Sequence, residues 1–200
     1  MPRRRPEIRL VAPEELDLLE QIENDADELF IERFRPTSWR PAPDAATRTA
    51  QPGFILVAVD DAADDAVGGA AGGVADGAGD GAADAAGAGS TVVGFAHVLE
   101  HDGCAHLEQL SVSPAHARRG HGRRLVEAAI ARAAALGYPE ISLRTYADIP
   151  WNGPFYRSCG FVESEPATAW HRELAAHDLG LPGATATGIT SRRIQMTARC

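Results

Sequence analysis

Apolar residues recur along this chain at two spacings, and the changes between them mark its elements. Ile8 to Val11 predicts a short strand. Pro13 then opens a helical pattern, with Leu16, Leu19, Ile22 and Leu29 near helical spacing through Phe30. Pro36 to Pro52 is rich in Pro and Thr and predicts a loop with a short helix. Phe54 to Val59 is a continuous apolar strand. Thr91 to Glu100 and Cys104 to Val112 form a hairpin around the turn signal Asp102-Gly103, and Pro114 ends it. A helix follows from about Gly120 to Leu136, with Gly137 as its cap and Leu125, Ala129, Ala133 and Leu136 on one face beside Val126 and Ile130. Ile141 to Thr145 is a further strand. Asp148 to Ser158 contains Pro150 and Pro154 and is at best a short helix closed by Gly160. Phe161-Val162 begins a strand, Ala167 to Leu179 is helical, and Arg193 to Thr197 is the last strand. Hairpin strands before a strand–helix–strand unit imply a mixed sheet flanked by helices.

One stretch has no period. Residues 60–90 contain only Asp, Ala, Gly, two Val and one Ser. Such a segment cannot bury enough apolar surface to offset its ordering entropy, so it is expected to be a disordered insertion in a hairpin loop. A solvated loop without a role is the plain expectation; attraction of basic substrates is the alternative. Seven Asp of a chain with net charge −9 fall there, which leaves the remainder nearly neutral. Nucleic acid and acidic membranes are not indicated as partners, although Arg3 to Arg5 and the arginines near residue 120 make a nucleic-acid reading worth testing. All nineteen basic residues are Arg, a bias that lowers the weight of any single one.

With 200 residues, 44% hydrophobic and 24% charged, the chain is expected to form a single domain with a sizeable core. Its longest apolar run is far short of the roughly 20 residues that span a bilayer. The basic N-terminus has no apolar stretch behind it, so a cytoplasmic location is expected. Cys104, Cys159 and Cys200 are widely spaced and read as reduced thiols, and the seven His lack ligand spacing, so no metal is expected.

The chemistry concentrates in Leu107 to Leu125, LEQLSVSPAHARRGHGRRL. A strand ends at Val112, a polar turn follows, and Gly120-His121-Gly122 opens an amphipathic helix. Glycine lets backbone N–H groups approach an anion closely, and those groups have no partner within the helix. Arg118, Arg119 and Arg123 add charge-assisted donors. A phosphate-bearing ligand is implied. A dinucleotide fingerprint fails because its third glycine position is Leu125, and a P-loop fails because the chain has no Lys. A glycine-containing helix start with exposed arginines and no ligand stays open as the plain alternative.

The second stretch, Asp148 to Phe161, reads DIPWNGPFYRSCGF. Taken together, the two stretches resemble the GNAT superfamily of acyl-coenzyme A-dependent N-acetyltransferases. That family pairs a strand–[Gln/Arg]-x-x-Gly-x-Gly/Ala–helix unit with a downstream Tyr-x-x-x-Gly-Phe. Here Gly120-His121-Gly122 follows one strand and Tyr156-Arg157-Ser158-Cys159-Gly160-Phe161 follows the next. The resemblance is strong from Glu108 to Phe161 and extends through element order over residues 7–199. It implies an α/β fold with a mixed, mostly antiparallel central sheet flanked by helices.

It also implies a site. Backbone groups of Leu110, Ser111 and Val112 would hold the pantetheine arm of acetyl-coenzyme A. Arg118, Arg119, Gly120, His121, Gly122 and Arg123 would bind the pyrophosphate. Tyr156 would protonate the leaving thiolate, a fitting task for a phenol of pKa near 10, or else be a packed aromatic beside Phe155. Two positions depart from the pattern: the leading Gln/Arg is Ala117, and the Asn seven residues before the Tyr is Ile149. Asn152 is then either a coenzyme contact or, with Trp151, a residue facing the substrate or the core.

For the general base the candidate is Glu108, on the motif strand. Strict alternation would put His106, Glu108, Leu110 and Val112 on one side of the sheet. A solvated Glu is the alternative, and Glu28, Glu32 and His97 are the fallback bases. The expected function is transfer of an acetyl group from acetyl-coenzyme A to a primary amine, on a small molecule or a peptide, by direct attack in a ternary complex. The alternative is a catalytically idle coenzyme-binding or partner-binding module. A homodimer paired through the C-terminal strand is also expected as a possibility of the edge.

Overall fold

The structure is a computed structural model that describes residues 7–36, 39–61, 90–180 and 192–200. The 60–90 insertion falls almost wholly outside the described residues. Its two ends, Asp61 and Ser90, are partners in a ladder.

Seven strands make one sheet: β1 Glu7–Leu10, β2 Gly53–Asp61, β3 Ser90–His101, β4 Cys104–Val112, β5 Glu140–Tyr146, β6 Val162–Ser164 and β7 Arg193–Arg199. Their spatial order is β1-β2-β3-β4-β5-β7-β6. Every neighbouring pair is antiparallel except β4 with β5. The turn between β3 and β4 has positive φ at both Asp102 (47°) and Gly103 (75°), the backbone a two-residue hairpin demands and the Asp-Gly pair accepts.

Among the described residues five helices flank the sheet: α1 Leu16–Phe34, α2 Ala45–Thr49, α3 His121–Ala135, α4 Gly153–Ser158 and α5 Ala169–Gly180. One face packs on α3. Leu125, Val126, Ala129 and Ala133 of that helix meet Leu56, Ala96, Val98, Leu107, Ile141, Leu143 and Met196. The other face packs on α1, where Leu19 and Ile22 meet Ile55, Val57 and Phe95. Each fully buried aliphatic side chain contributes about 1.5–3 kcal/mol, so the α3 layer dominates the core.

α1 runs a turn beyond the predicted end at Phe30. Phe34 packs its ring 5.9 Å from Phe30, and the helix stops where Arg35 turns left-handed (φ 45°) just before Pro36. A second expectation is corrected. β7 is not a free edge for a partner subunit, because it lies between β5 and β6 and is laddered to both.

Candidate active site

The parallel pair β4–β5 holds together for only three residue pairs, Ala105–Ile141, His106–Ser142 and Leu107–Leu143. Beyond them β4 continues from Glu108 to Val112 beside β3 alone, while β5 continues to Tyr146 beside β7 alone. The sheet is split at its centre. The β5-facing backbone edge of Gln109–Val112 therefore has no ladder partner among the described residues.

Glu108 is where the split begins, and the reason is local. Val98 pairs with Leu107 and His97 pairs with Gln109, so Glu108 is an extra residue, a β-bulge. The bulge corrects the alternation expected from the sequence. Leu107 packs toward α3, yet so do Leu110 and Val112, while His106, Gln109 and Ser111 belong to the opposite face. Glu108 thus sits with His106 but not with Leu110.

At the far end of β4 the chain passes through a 3-10 turn, Pro114–His116, and reaches α3. Arg118 (φ 62°) and Gly120 (φ 91°) are both left-handed. Gly120 is the N-cap, and no side chain caps the helix. The first bond inside α3 runs from the Arg124 N–H to the Gly120 carbonyl at 3.2 Å, so the preceding amides of the first turn point outward without partners among the described residues. A Cβ on Gly120 would meet nothing within 4 Å, so the space on that side of the residue is open. Gly122 faces Phe155, Val112 and Leu110, which brings the helix start against both the end of β4 and α4. Uncapped amides, open space and a helix dipole fit a phosphate group.

The side chains around these amides do more than the sequence suggests. Arg123 donates to the Ser158 carbonyl (2.7 Å) and Oγ (2.8 Å), tying α3 to the end of α4. Arg119 lies 3.8 Å from the Asp60 carboxylate, and buried His121 places Nε2 3.3 Å from the same carboxylate. Burial holds His121 below the ordinary imidazole range, against the opposing pull of Asp60. Asp60, the next-to-last residue of β2, was not legible as a site residue. Arg118 is exposed.

Across the split, α4 presents Tyr156. Gly153 is buried at its first turn, where a Cβ would stand 2.3 Å from the Ala147 carbonyl oxygen, so only glycine lets α4 start so close to the end of β5. Asn152 is spent on this junction. Its Oδ1 accepts from Thr145 Oγ1 (2.8 Å) and its carbonyl accepts from the Tyr156 N–H (2.9 Å). Tyr156 packs between Phe155 (5.1 Å) and Phe161 (5.8 Å). Burial pushes its phenol well above the ordinary value, with the neighbouring Arg193 opposing. A phenol desolvated in this way stays protonated at every working pH.

Behind Glu108 lies a chain of buried polar groups that the sequence did not reveal. His106 Nε2 is 3.7 Å from the Glu108 carboxylate. His106 Nδ1 is 2.8 Å from Ser142 Oγ, and Ser142 Oγ is 3.0 Å from Nε2 of His171 on α5. All three are almost fully buried, whereas the Glu108 side chain is 48% exposed. His171 Nδ1 has no partner, which is tolerable for a bare acceptor and costly for an N–H, so the proton is assigned to Nε2 and donated to Ser142.

The α1 side supplies carboxylates in an arrangement different from the fallback expected. Glu28 and Glu32 point to solvent. Glu23 and Asp27 are the inward pair, one turn apart. Glu23 is buried, bonded to Arg48 at 2.9 Å, and its carboxyl is pushed up by burial against the pull of that arginine. Asp27 accepts from Trp39 Nε1 (2.9 Å), and burial raises it too. His97 is held down to about 4 by burial and by Arg48, so it is neutral at physiological pH. Among the described residues no group of three or more His, Cys, Asp or Glu is arranged to hold a metal ion.

The mixed, mostly antiparallel sheet flanked by helices agrees with the comparisons to known proteins. The family model described as "Acetyltransferase (GNAT) family" matches residues 19–161. The chain belongs to the GNAT acetyltransferase family. The fold is shared with GNAT proteins of known structure. One is the ribosomal-protein-S18-alanine N-acetyltransferase of Escherichia coli, at 15% identity, TM-score 0.58, covering 98% of this chain and 94% of that one. Another is the PaiA N-acetyltransferase of Thermoplasma acidophilum in complex with coenzyme A, at 14% identity, TM-score 0.58, covering 98% and 99%. A third is a GNAT-family acetyltransferase of Staphylococcus aureus, at 14% identity, TM-score 0.60, covering 98% and 99%. Identities this low speak for the fold alone. Among the described residues no helix is long and apolar enough to cross a membrane.

Proposed function

We propose that this protein is an N-acetyltransferase that moves the acetyl group of acetyl-coenzyme A to a primary amine by direct attack in a ternary complex. The reading is carried by one observation: the split between β4 and β5 opens beside the uncapped, unobstructed start of α3. In this reading the amides of Gly120, His121, Gly122 and Arg123 take the pyrophosphate, with Arg118 as the exposed charge beside them. The unpaired edge of Leu110, Ser111 and Val112 takes the pantetheine amides as a strand would. Asp60 keeps Arg119 and His121 in place, and Arg123 acts mainly by fixing α4.

The amine nitrogen attacks the acetyl carbon, and its proton passes to the Glu108 carboxylate, directly or through a water. The C–S bond then breaks, and the sulfur takes the proton of the Tyr156 hydroxyl. Products are the acetamide and the free thiol, and Tyr156 recovers its proton through solvent. His106 stands behind Glu108 as a positioning residue, with its Nε2 3.7 Å from the carboxylate. Asn152 supports the site through Thr145 and α4.

Calorimetric titration with acetyl-coenzyme A, paired with thiol release over a panel of amines, tests this. Saturable binding and amine-dependent thiol release are expected. No binding at millimolar ligand contradicts the reading. Tight binding with no turnover on any amine selects the idle module instead, a reading favoured by the engagement of Arg119 and Arg123 with protein groups.

A further inference from the structure

The coenzyme side of the split accounts for α3, β4 and α4 but not for the ring cluster on the α1 side. Glu23, Asp27, Phe30 and Phe34 fall on one stripe of α1, at i, i+4, i+7 and i+11. The Phe30 ring lies 5.7 Å from Trp151, 6.0 Å from Trp39 and 6.1 Å from Tyr146. Tyr146 ends β5 and Trp151 lies between β5 and α4, whereas α1 packs on β3 and β4. The rings therefore bridge the two halves of the sheet across the opening of the split.

Two features distinguish this cluster from ordinary core. Its four rings are each only partly covered, and Trp39 remains 36% exposed. The Trp151 Nε1 atom is sealed from water yet has no acceptor, although a completed core pairs its indole N–H. On the same stripe, Glu23 is paired with buried Arg48 and Asp27 accepts from Trp39 Nε1, while the half-exposed Glu108 carboxylate is close enough to act on Glu23. An occupant of this place meets flat apolar faces on one side and carboxyl groups on the other.

We propose that the acceptor is a small primary amine joined by a short alkyl chain to an aromatic ring. Its ring stacks on Phe30, Trp151 and Tyr146, and its nitrogen lies toward Glu108, with the ammonium form attracted by the carboxylates before it loses its proton. An aliphatic polyamine satisfies the carboxyl groups but leaves the rings uncovered. A free amino acid brings a carboxylate of its own into an acidic wall. The proposal names the substrate of the acetyl-transfer reading and rests on it.

The test compares phenethylamine, tyramine, hexylamine and spermidine by thiol release with saturating acetyl-coenzyme A, and follows tryptophan fluorescence on adding each amine to the coenzyme-bound protein. The expected kcat/KM for the two arylamines is at least 10-fold above that for the aliphatic amines. Phe30→Leu, which keeps an apolar side chain, and Trp151→Phe are each expected to bring that ratio to within about 3-fold of unity through KM. Coenzyme affinity by calorimetry reports whether each variant is folded. Equal or better turnover of hexylamine or spermidine overturns the aromatic class while leaving acetyl transfer standing. Turnover of arylamines with the ratio unchanged in both variants overturns the ring site. Saturable quenching by phenethylamine, lost in Phe30→Leu, with no turnover of any amine keeps the ring site and overturns acetyl transfer. Neither turnover nor quenching overturns both.

Discussion

The two sides of the central split are built from different materials. The side proposed for the coenzyme is backbone: the edge of β4 beyond the β5 ladder and the amides at the start of α3, placed by a left-handed Gly120 and an uncapped helix. The side proposed for the acceptor is side chains: Glu108 on a bulge, Glu23 and Asp27 on α1, and rings from α1, β5 and the loops. Backbone sites tolerate sequence change as long as the path of the chain survives, which is how proteins at 14–15% identity share this fold. Substitutions on the two sides should therefore fail differently, one set in coenzyme affinity and the other in turnover or amine KM.

The largest effect is expected at the joint between the sides. Tyr156→Phe removes the proton donor but keeps the ring packing, and kcat should fall about 100-fold with coenzyme affinity unchanged, since general acid catalysis is worth about 10²–10⁴-fold. Burst-free thiol release and calorimetry on the same sample check it; a loss in affinity instead would place Tyr156 on the coenzyme side. Next comes Gly120→Val. A β-branched residue at φ 91° is strained by about 1–2 kcal/mol, and relief of that strain turns the amides away, so coenzyme affinity should drop about 10-fold or more. Gly122→Ala, whose new Cβ would make ordinary 3.6 Å contact with Phe155, should change affinity far less.

His106→Asn is expected to act in between, reducing kcat/KM about 10-fold and moving the acidic limb of its pH profile, because the partner of Glu108 is lost. A merely structural His106 would lower melting temperature and leave that limb where it is. Groups near this pair include Glu23 from α1, Ser142 from β5, and Trp170 and His171 from α5. Ser142→Ala cuts the chain beyond His106 and should give a smaller shift of the same sign.

The smallest effect concerns stability. His97 is held down to about 4, so between pH 6.5 and 4 the unfolded chain binds a proton that the folded one refuses. Stability is then greatest above pH 6.5 and declines as pH falls through that window, by at most about 3 kcal/mol from this group. Buried His121 and His171, both held down by burial, act in the same direction. Thermal melts at pH 7 and pH 4.5 should differ less in His97→Gln than in the parent chain.

The difference between the sides also explains what the sequence could tell. Strands, the Asp102-Gly103 turn, α3 and the motifs around Gly120 and Tyr156 were legible because local backbone chemistry writes them. Gly120 must be glycine or close to it, and the pattern Tyr156 to Phe161 reports a short helix and its end. The bulge at Glu108 was not legible, since it arises from how β3 and β4 register, and it reversed the expected facing of Leu110 and Val112. The His106–Ser142–His171 chain joins residues 36 and 29 positions apart. No local period could reveal it. Leu16, Leu19, Ile22 and Leu29 marked α1 by their spacing, but Glu23 and Asp27 were not singled out, since nothing in the sequence said which polar positions of the helix turn inward. Arg123 and Asn152, read as coenzyme contacts, hold α4 to its neighbours through Ser158 and Thr145.

The central claim is that main-chain amides at the start of α3 grip a diphosphate and so lay the thioester along β4. Its most direct measurement is a titration of the isotopically labelled protein with coenzyme A, following backbone amide resonances. Saturable shifts are expected at Gly120, His121, Gly122 and Arg123 and along Leu110 to Val112, with little change at Phe30 or Asp27. Shifts confined to arginine side chains, or no shifts at millimolar coenzyme, would contradict it.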